Sequence, residues 1–202
     1  MEPPMESSPA SPDQPILNLV GEKVALGPHR RELLPLYTRW INDFEAVRGL
    51  GVGMRPTTRE AEEKWYERTS KGDRDAAFTI YERATMRPIG NAGLHGVDHR
   101  HRTAEFGILI GEKDCWGKGY GTEATALVLE YGFTALGLHS IMLRAFSFNE
   151  RAIRAYTRAG FRLVGRWREA HRLGGQAYDV VFMDCLATEF RGQALRHLLP
   201  QG

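Results

Sequence analysis

Only two cysteines, Cys115 and Cys185, occur among the 202 residues. They form no recognisable framework, so a disulfide-built scaffold is excluded and a reducing cytoplasm is the expected compartment. Long apolar runs are missing as well. No stretch approaches the ~20 residues that a membrane-spanning helix needs. There is little excess of either charge: 27 Lys and Arg against 25 Asp and Glu leave a formal +2. That argues for neither a nucleic-acid nor a membrane partner. The opening MEPPMESSPASPDQP lacks the basic start and apolar centre of a signal peptide. Its Pro and Ser content predicts a disordered tail over 1–15. A single domain is expected over 16–190, with a C-terminal tail over 191–202; the length suits one domain with a substantial core. No internal repeat is visible.

What is present is concentrated in residues 105–122, EFGILIGEKDCWGKGYGT. An extended apolar run feeds a glycine-rich loop, and the loop opens onto an amphipathic helix. Gly117, Gly119 and Gly121 permit backbone angles and close approaches that a Cβ blocks. Unpaired amides and the positive dipole end of a helix start suit a phosphate or pyrophosphate. A plain strand–turn–helix corner, with glycines for packing, is the alternative. Two familiar phosphate loops do not fit. No Lys-Ser or Lys-Thr follows the last glycine, and a dinucleotide fingerprint needs different spacing and an acidic residue about 20 positions on.

Elsewhere, strands are expected at 22–26, 77–81, 89–97, 103–110 and 140–146, with a closing hairpin of 162–172 and 176–187 around Gly174 and Gly175. Leu33, Leu34, Tyr37, Trp40, Ile41 and Phe44 recur at helical spacing. A second helix is expected near Thr57, where Thr57 and Glu60 have capping-box spacing. After the loop, Ala124, Leu127, Val128, Tyr131 and Ala135 would share one helix face, stopping at Gly137. A further helix spans 150–159 and ends at Gly160. Strands on either side of mid-chain helices give a mixed α/β (α+β) sheet.

The second informative stretch is residues 149–161, NERAIRAYTRAGF. Together with WGKGYGTEA it resembles the GNAT superfamily of acetyl-CoA-dependent N-acetyltransferases, in particular its RimJ/RimL-type branch of ribosomal-protein N-terminal and spermidine acetyltransferases. The likeness runs from about residue 16 to about residue 190. It implies a mixed central sheet with helices on both faces, and a splayed strand pair holding acetyl-CoA as cosubstrate. The backbone of Ile108, Leu109 and Ile110 would face the pantetheine arm where that strand parts from its neighbour at a bulge. Trp116, Gly117, Lys118, Gly119, Tyr120, Gly121 and Thr122 would surround the pyrophosphate. Asn149, Arg151, Ala152 and Tyr156 would line the cofactor from the following helix, with Arg151 or Arg154 near the 3′-phosphate.

Tyr156 would be the proton donor to the departing thiolate, although its spacing with Ala152, Ala155 and Ala159 also suits a core tyrosine. Asn149 is also a favoured helix N-cap. Glu105 is the candidate base, because a primary ammonium of pKa about 10 must lose a proton before attack; a solvated or paired carboxylate is the other reading. His95, His99 and His101 invite a metal, but no partner lies at a metal spacing and none is expected. Cys115 lacks the base that an acyl-cysteine requires. The resemblance implies direct attack by a primary amine in a ternary complex, the amine being a protein or peptide N-terminus or a small amine, and a homodimer. Alternatives are polyamine or aminoglycoside-type acetylation, the latter needing an acidic cleft for which Asp43, Glu45, Glu62, Glu63 and Asp179 are candidates. From another class comes a non-catalytic acyl-CoA-binding sensor.

Overall fold

A computed structural model describes residues 14–71, 75–192 and 194–195. Most of the two expected tails (1–13, 193 and 196–202) lies outside the described residues. In chain order the elements are β1 (Leu19–Val20), β2 (Val24–Pro28), α1 (Leu34–Asn42), α2 (Phe44–Val47), α3 (Arg59–Lys71), β3 (Ala76–Glu82), β4 (Arg87–Asp98), β5 (Thr103–Ile110), α4 (Tyr120–Thr134), β6 (Ser140–Phe146), α5 (Glu150–Ala159), β7 (Arg162–Leu173) and β8 (Gln176–Leu186). They build one eight-stranded sheet in the order β1-β2-β3-β4-β5-β6-β8-β7, antiparallel except where β5 meets β6. The expected mixed α/β sheet is therefore present.

The two sheet faces are covered by different helices. Along β5, Phe106, Ile108 and Ile110 pack into the core that includes Leu127 and Val128 of α4 and Tyr156 of α5. Leu109 points the other way, onto Leu34, Tyr37 and Trp40 of α1 and Trp65 of α3. Side chains alternate along a strand, so Glu105 and Gly107 share the Leu109 face.

Three local expectations need correction. The first amphipathic run is not one helix: Asp43 has extended backbone, and its side chain accepts from the Glu45 and Ala46 amides, ending α1 and capping α2. Thr58 rather than Thr57 caps α3, accepting from the Ala61 amide at 3.2 Å, while Thr57 donates its own amide to Asn42 at 2.9 Å. Finally, α4 is buried nearly all round rather than on one face, with Thr125, Leu129 and Glu130 inside as well and Ala135 exposed. Its far side lies under α5 and the C-terminal segment: the Leu195 amide donates to the Glu130 carboxylate at 2.8 Å, and Phe133 meets Phe190.

Candidate functional site

The site begins where β5 and β6 part. Their parallel pairing stops after Thr103↔Ser140, Ala104↔Ile141 and Glu105↔Met142, although β5 continues to Ile110 and β6 to Phe146. The inner edges beyond Glu105 and Met142 are thus left without ladder partners. The expected splay is real, but no bulge lies in this pairing. A register shift lies instead on the other flank of β5, in its pairing with β4 at residues 95–98.

Beyond Ile110 the chain turns through a short 3₁₀ segment, Lys113–Cys115, into the glycine loop. Gly117 and Gly119 have φ of +78° and +86°, the left-handed region that favours glycine. Gly119 is the N-cap of α4 and supplies no side-chain cap. The first amides of a 15-residue helix therefore stay available to an anion. Two charged residues that local spacing does not reveal complete this corner. Lys23, on the turn before β2, donates to the Lys118 carbonyl at 3.4 Å, and its ammonium lies 3.3 Å from where a Cβ on Gly119 would stand. Glu123, in the first turn of α4, accepts from the amides of Glu22, Lys23 and Val24 at 2.8, 2.8 and 2.9 Å. That carboxylate ties the helix start to the β1–β2 turn, about a hundred residues earlier.

A cleft of about 350 Å³ runs from this helix start to α5. Its size falls within the roughly 300–1,000 Å³ of small-molecule sites. Ile108, Leu109 and Ile110 line it from β5; Trp116, Gly117, Gly119, Tyr120, Gly121 and Thr122 line it from the loop. On the α5 side stand Asn149, Arg151, Ala152 and Tyr156. Of the expected cofactor residues only Lys118, which is exposed, does not line the cleft. Asn149 caps α5, accepting from the Ala152 amide at 3.3 Å. The Trp116 indole donates to the Ile110 carbonyl at 2.9 Å, and the Arg151 guanidinium stacks on the indole face at 4.1 Å. The Tyr120 hydroxyl donates to Glu82 at 2.6 Å.

Tyr156 reaches the cleft from α5 and touches Phe106 edge-on. Burial pushes its hydroxyl up to about 12, so it holds its proton at neutral pH. Cys115 is buried beside the loop, with Arg87 3.1 Å from its sulfur. Burial pushes this thiol upward, which disfavours the thiolate a nucleophile needs. Glu105 lies on the opposite face from Tyr156, and its two oxygens accept from the Arg144 guanidinium at 2.8 and 3.1 Å.

Neither remaining group of candidates converges. Among the described residues no set of three or more His, Cys, Asp or Glu is placed to hold a metal. The acidic candidates are engaged separately: Asp43 and Glu45 with Lys113 at 2.9 Å each, Glu63 with Arg31, and Asp179 with Arg166 at 3.7 Å. Glu62 is buried on α3.

The sequence pattern of the acetyltransferase (GNAT) domain matches residues 23–162, which carry the splay, the loop and Tyr156. The chain belongs to the GNAT acetyltransferase family. A spermidine N(1)-acetyltransferase of Vibrio cholerae is 30% identical over 128 residues, 63% of this chain and 73% of that protein. The spermidine N(1)-acetyltransferase of Escherichia coli K12 is 37% identical over 94 residues, 46% of this chain and 50% of the relative. An uncharacterized N-acetyltransferase of Bacillus licheniformis, p20, is 30% identical over 115 residues, 57% and 64% of the two chains. This GNAT chain thus spans from half to just under two thirds of the length of the last two relatives. In fold it is similar to a crystal structure of the V. cholerae spermidine N-acetyltransferase in complex with CoA and spermine, with a TM-score of 0.77 at 24% identity, covering 83% of this chain and 98% of that one.

Proposed function

We propose that this protein transfers acetyl from acetyl-CoA to a primary amine by direct attack within a ternary complex. The observation that carries the reading is the junction of the β5–β6 splay with the uncapped start of α4. In this reading pantetheine runs along the free edge of residues 108–110, and the pyrophosphate meets the amides of 119–122, with Lys23 screening its charge. Tyr156, protonated and within the cleft, gives its proton to the departing sulfur. As an electrophile acetyl-CoA needs no metal.

The amine is one that the RimJ/RimL-type branch takes: a peptide N-terminus or a polyamine. Similarity to proteins named as spermidine N(1)-acetyltransferases supports the polyamine. An aminoglycoside is less well supported, because four of the five acidic candidates are engaged by basic partners and the fifth, Glu62, is buried. Two free buried cysteines suit the cytoplasm. A homodimer is part of the reading: β7 is the outer strand of the sheet and exposes Leu163, Val164 and Trp167. Uncovered edges of this kind invite pairing. Sedimentation at micromolar concentration should find the dimer; a monomer there removes it from the reading.

The test of function is release of free thiol from acetyl-CoA with spermidine, spermine and an unblocked hexapeptide as probes. Amine-dependent release is expected with at least one. Acetyl-CoA binding without release under any of them would favour a non-catalytic acyl-CoA sensor.

A further inference from the structure

His95 is the last residue before the register shift in β4. The shift is made at Gly96, whose φ is +59°. Bulges beside functional sites commonly re-aim a neighbouring side chain. Here the imidazole is turned across β5: its Nε2 lies 3.2 Å from where a Cβ on Gly107 would stand. Gly107 therefore serves as the slot that admits the ring. Asp75 stands behind the imidazole, 3.8 Å from Nδ1, and is itself fixed by accepting from the Gly96 amide at 3.0 Å. The ring remains about half exposed.

The position of Gly107 gives this arrangement its meaning. Phe106 and Gly107 are consecutive, so they address opposite faces of the sheet. Phe106 touches Tyr156 on one face, and His95 covers Gly107 on the other. Both residues lie just past Glu105, where β5 loses its partner β6. Tyr156 and His95 thus meet adjacent residues of β5 from opposite faces of the sheet, just past the end of its pairing with β6. Glu105 is the cross-strand neighbour of His95, but both its oxygens already accept from Arg144.

We propose that His95, with Asp75 beside its ring, is the general base that takes the proton of the attacking amine. The inference rests on the acetyl-transfer reading above. The ammonium first loses one proton to water. As the amine nitrogen forms its bond to the acetyl carbon, His95 Nε2 takes a second proton from that nitrogen. The carbon–sulfur bond then breaks, its electron pair leaves on sulfur, and sulfur receives the Tyr156 proton. His95 gives its proton to water and Tyr156 regains one, so each turnover releases one net proton. An imidazole is the side chain suited to exchange a proton near neutrality. Among the described residues, the charged or titratable groups placed near His95 include Asp75, Glu105 with its partner Arg144, and His29. Burial, then the charge of His95, lowers His29 to about 4, so it adds no competing cation.

The test compares His95→Ala, His95→Gln and Glu105→Gln with the wild type, using thiol release with the most active amine probe. Both His95 variants should lose about 10²–10⁴ in kcat, the usual contribution of one acid–base group. The acetyl-CoA-induced rise in Tm should be kept. Added imidazole should restore turnover to His95→Ala, with a rate that follows the basicity of a series of substituted imidazoles. Glu105→Gln should lose less and gain nothing from imidazole. Near-normal turnover in both His95 variants with an active wild type overturns the assignment while leaving acetyl transfer standing. So does a larger loss in Glu105→Gln than in His95→Ala, or the absence of rescue. A wild type that releases no thiol with any probe overturns both readings.

Discussion

Replacing Tyr156 by Phe is expected to cut kcat by about 10²–10⁴ while leaving acetyl-CoA binding nearly unchanged. At 1.36 kcal/mol per tenfold, this corresponds to roughly 3–5 kcal/mol of lost transition-state stabilisation. Phe keeps the ring that meets Phe106 and Phe161 and removes only the hydroxyl. Loss confined to kcat marks an interaction made chiefly in the transition state. A tyrosine that only packs would show a modest fall in Tm with turnover preserved, and near-normal turnover in the variant would end the acid assignment. The raised hydroxyl also sets a pH signature. Its folded value, about 12, exceeds the ordinary value of about 10. Its contribution to stability is therefore full below about pH 10 and is lost as pH rises towards 12. Tyr156→Phe should remove that alkaline loss without altering stability's dependence on pH near neutrality.

The second large effect is expected at Gly119. In the wild type, acetyl-CoA at a hundred times its dissociation constant should stabilise the fold by about 2.7 kcal/mol. For a chain of this size that raises Tm by roughly 5–10 °C. Gly119→Val places a β-branched residue at φ +86° and a Cβ 3.3 Å from the Lys23 ammonium. The strain should lower the unliganded Tm by an amount equivalent to about 1–3 kcal/mol. More telling is the ligand response: the rise should vanish, because the loop can no longer present the first amides of α4. Differential scanning fluorimetry with and without acetyl-CoA reads both effects. An undiminished rise would detach the loop from cofactor binding.

The parts of this fold legible in the sequence were those specified locally. Strand 103–110, strand 140–146 and helix 150–159 have the bounds that their patterns and caps predict, because Asn149 and Gly160 mark that helix within its own sequence. The loop glycines are legible for the same reason: the chemistry they permit is their own backbone. Lys23 and Glu123 are different. Their role is a contact between residues about a hundred positions apart, and an isolated carboxylate in the first turn of a helix looks like ordinary dipole complementation. Glu105 shows the limit most clearly. Its type and place on β5 suggest a base, yet its engagement depends on Arg144 from a strand that follows a 15-residue helix. In sequence His95 suggests only a metal, because His99 and His101 follow it closely, whereas in space it meets Gly107 and Asp75.

The segment 45–50 lines the main cleft through Ala46, Gly49 and Leu50, and an adjoining hollow through Glu45, Ala46, Arg48 and Gly49. Gly49 lies so close to the capping Asn149 that a Cβ there would clash with the side-chain amide nitrogen. A side chain at Gly49 would therefore displace the residue that both caps α5 and lines the cleft, so one substitution there reaches the helix start and the cleft wall together.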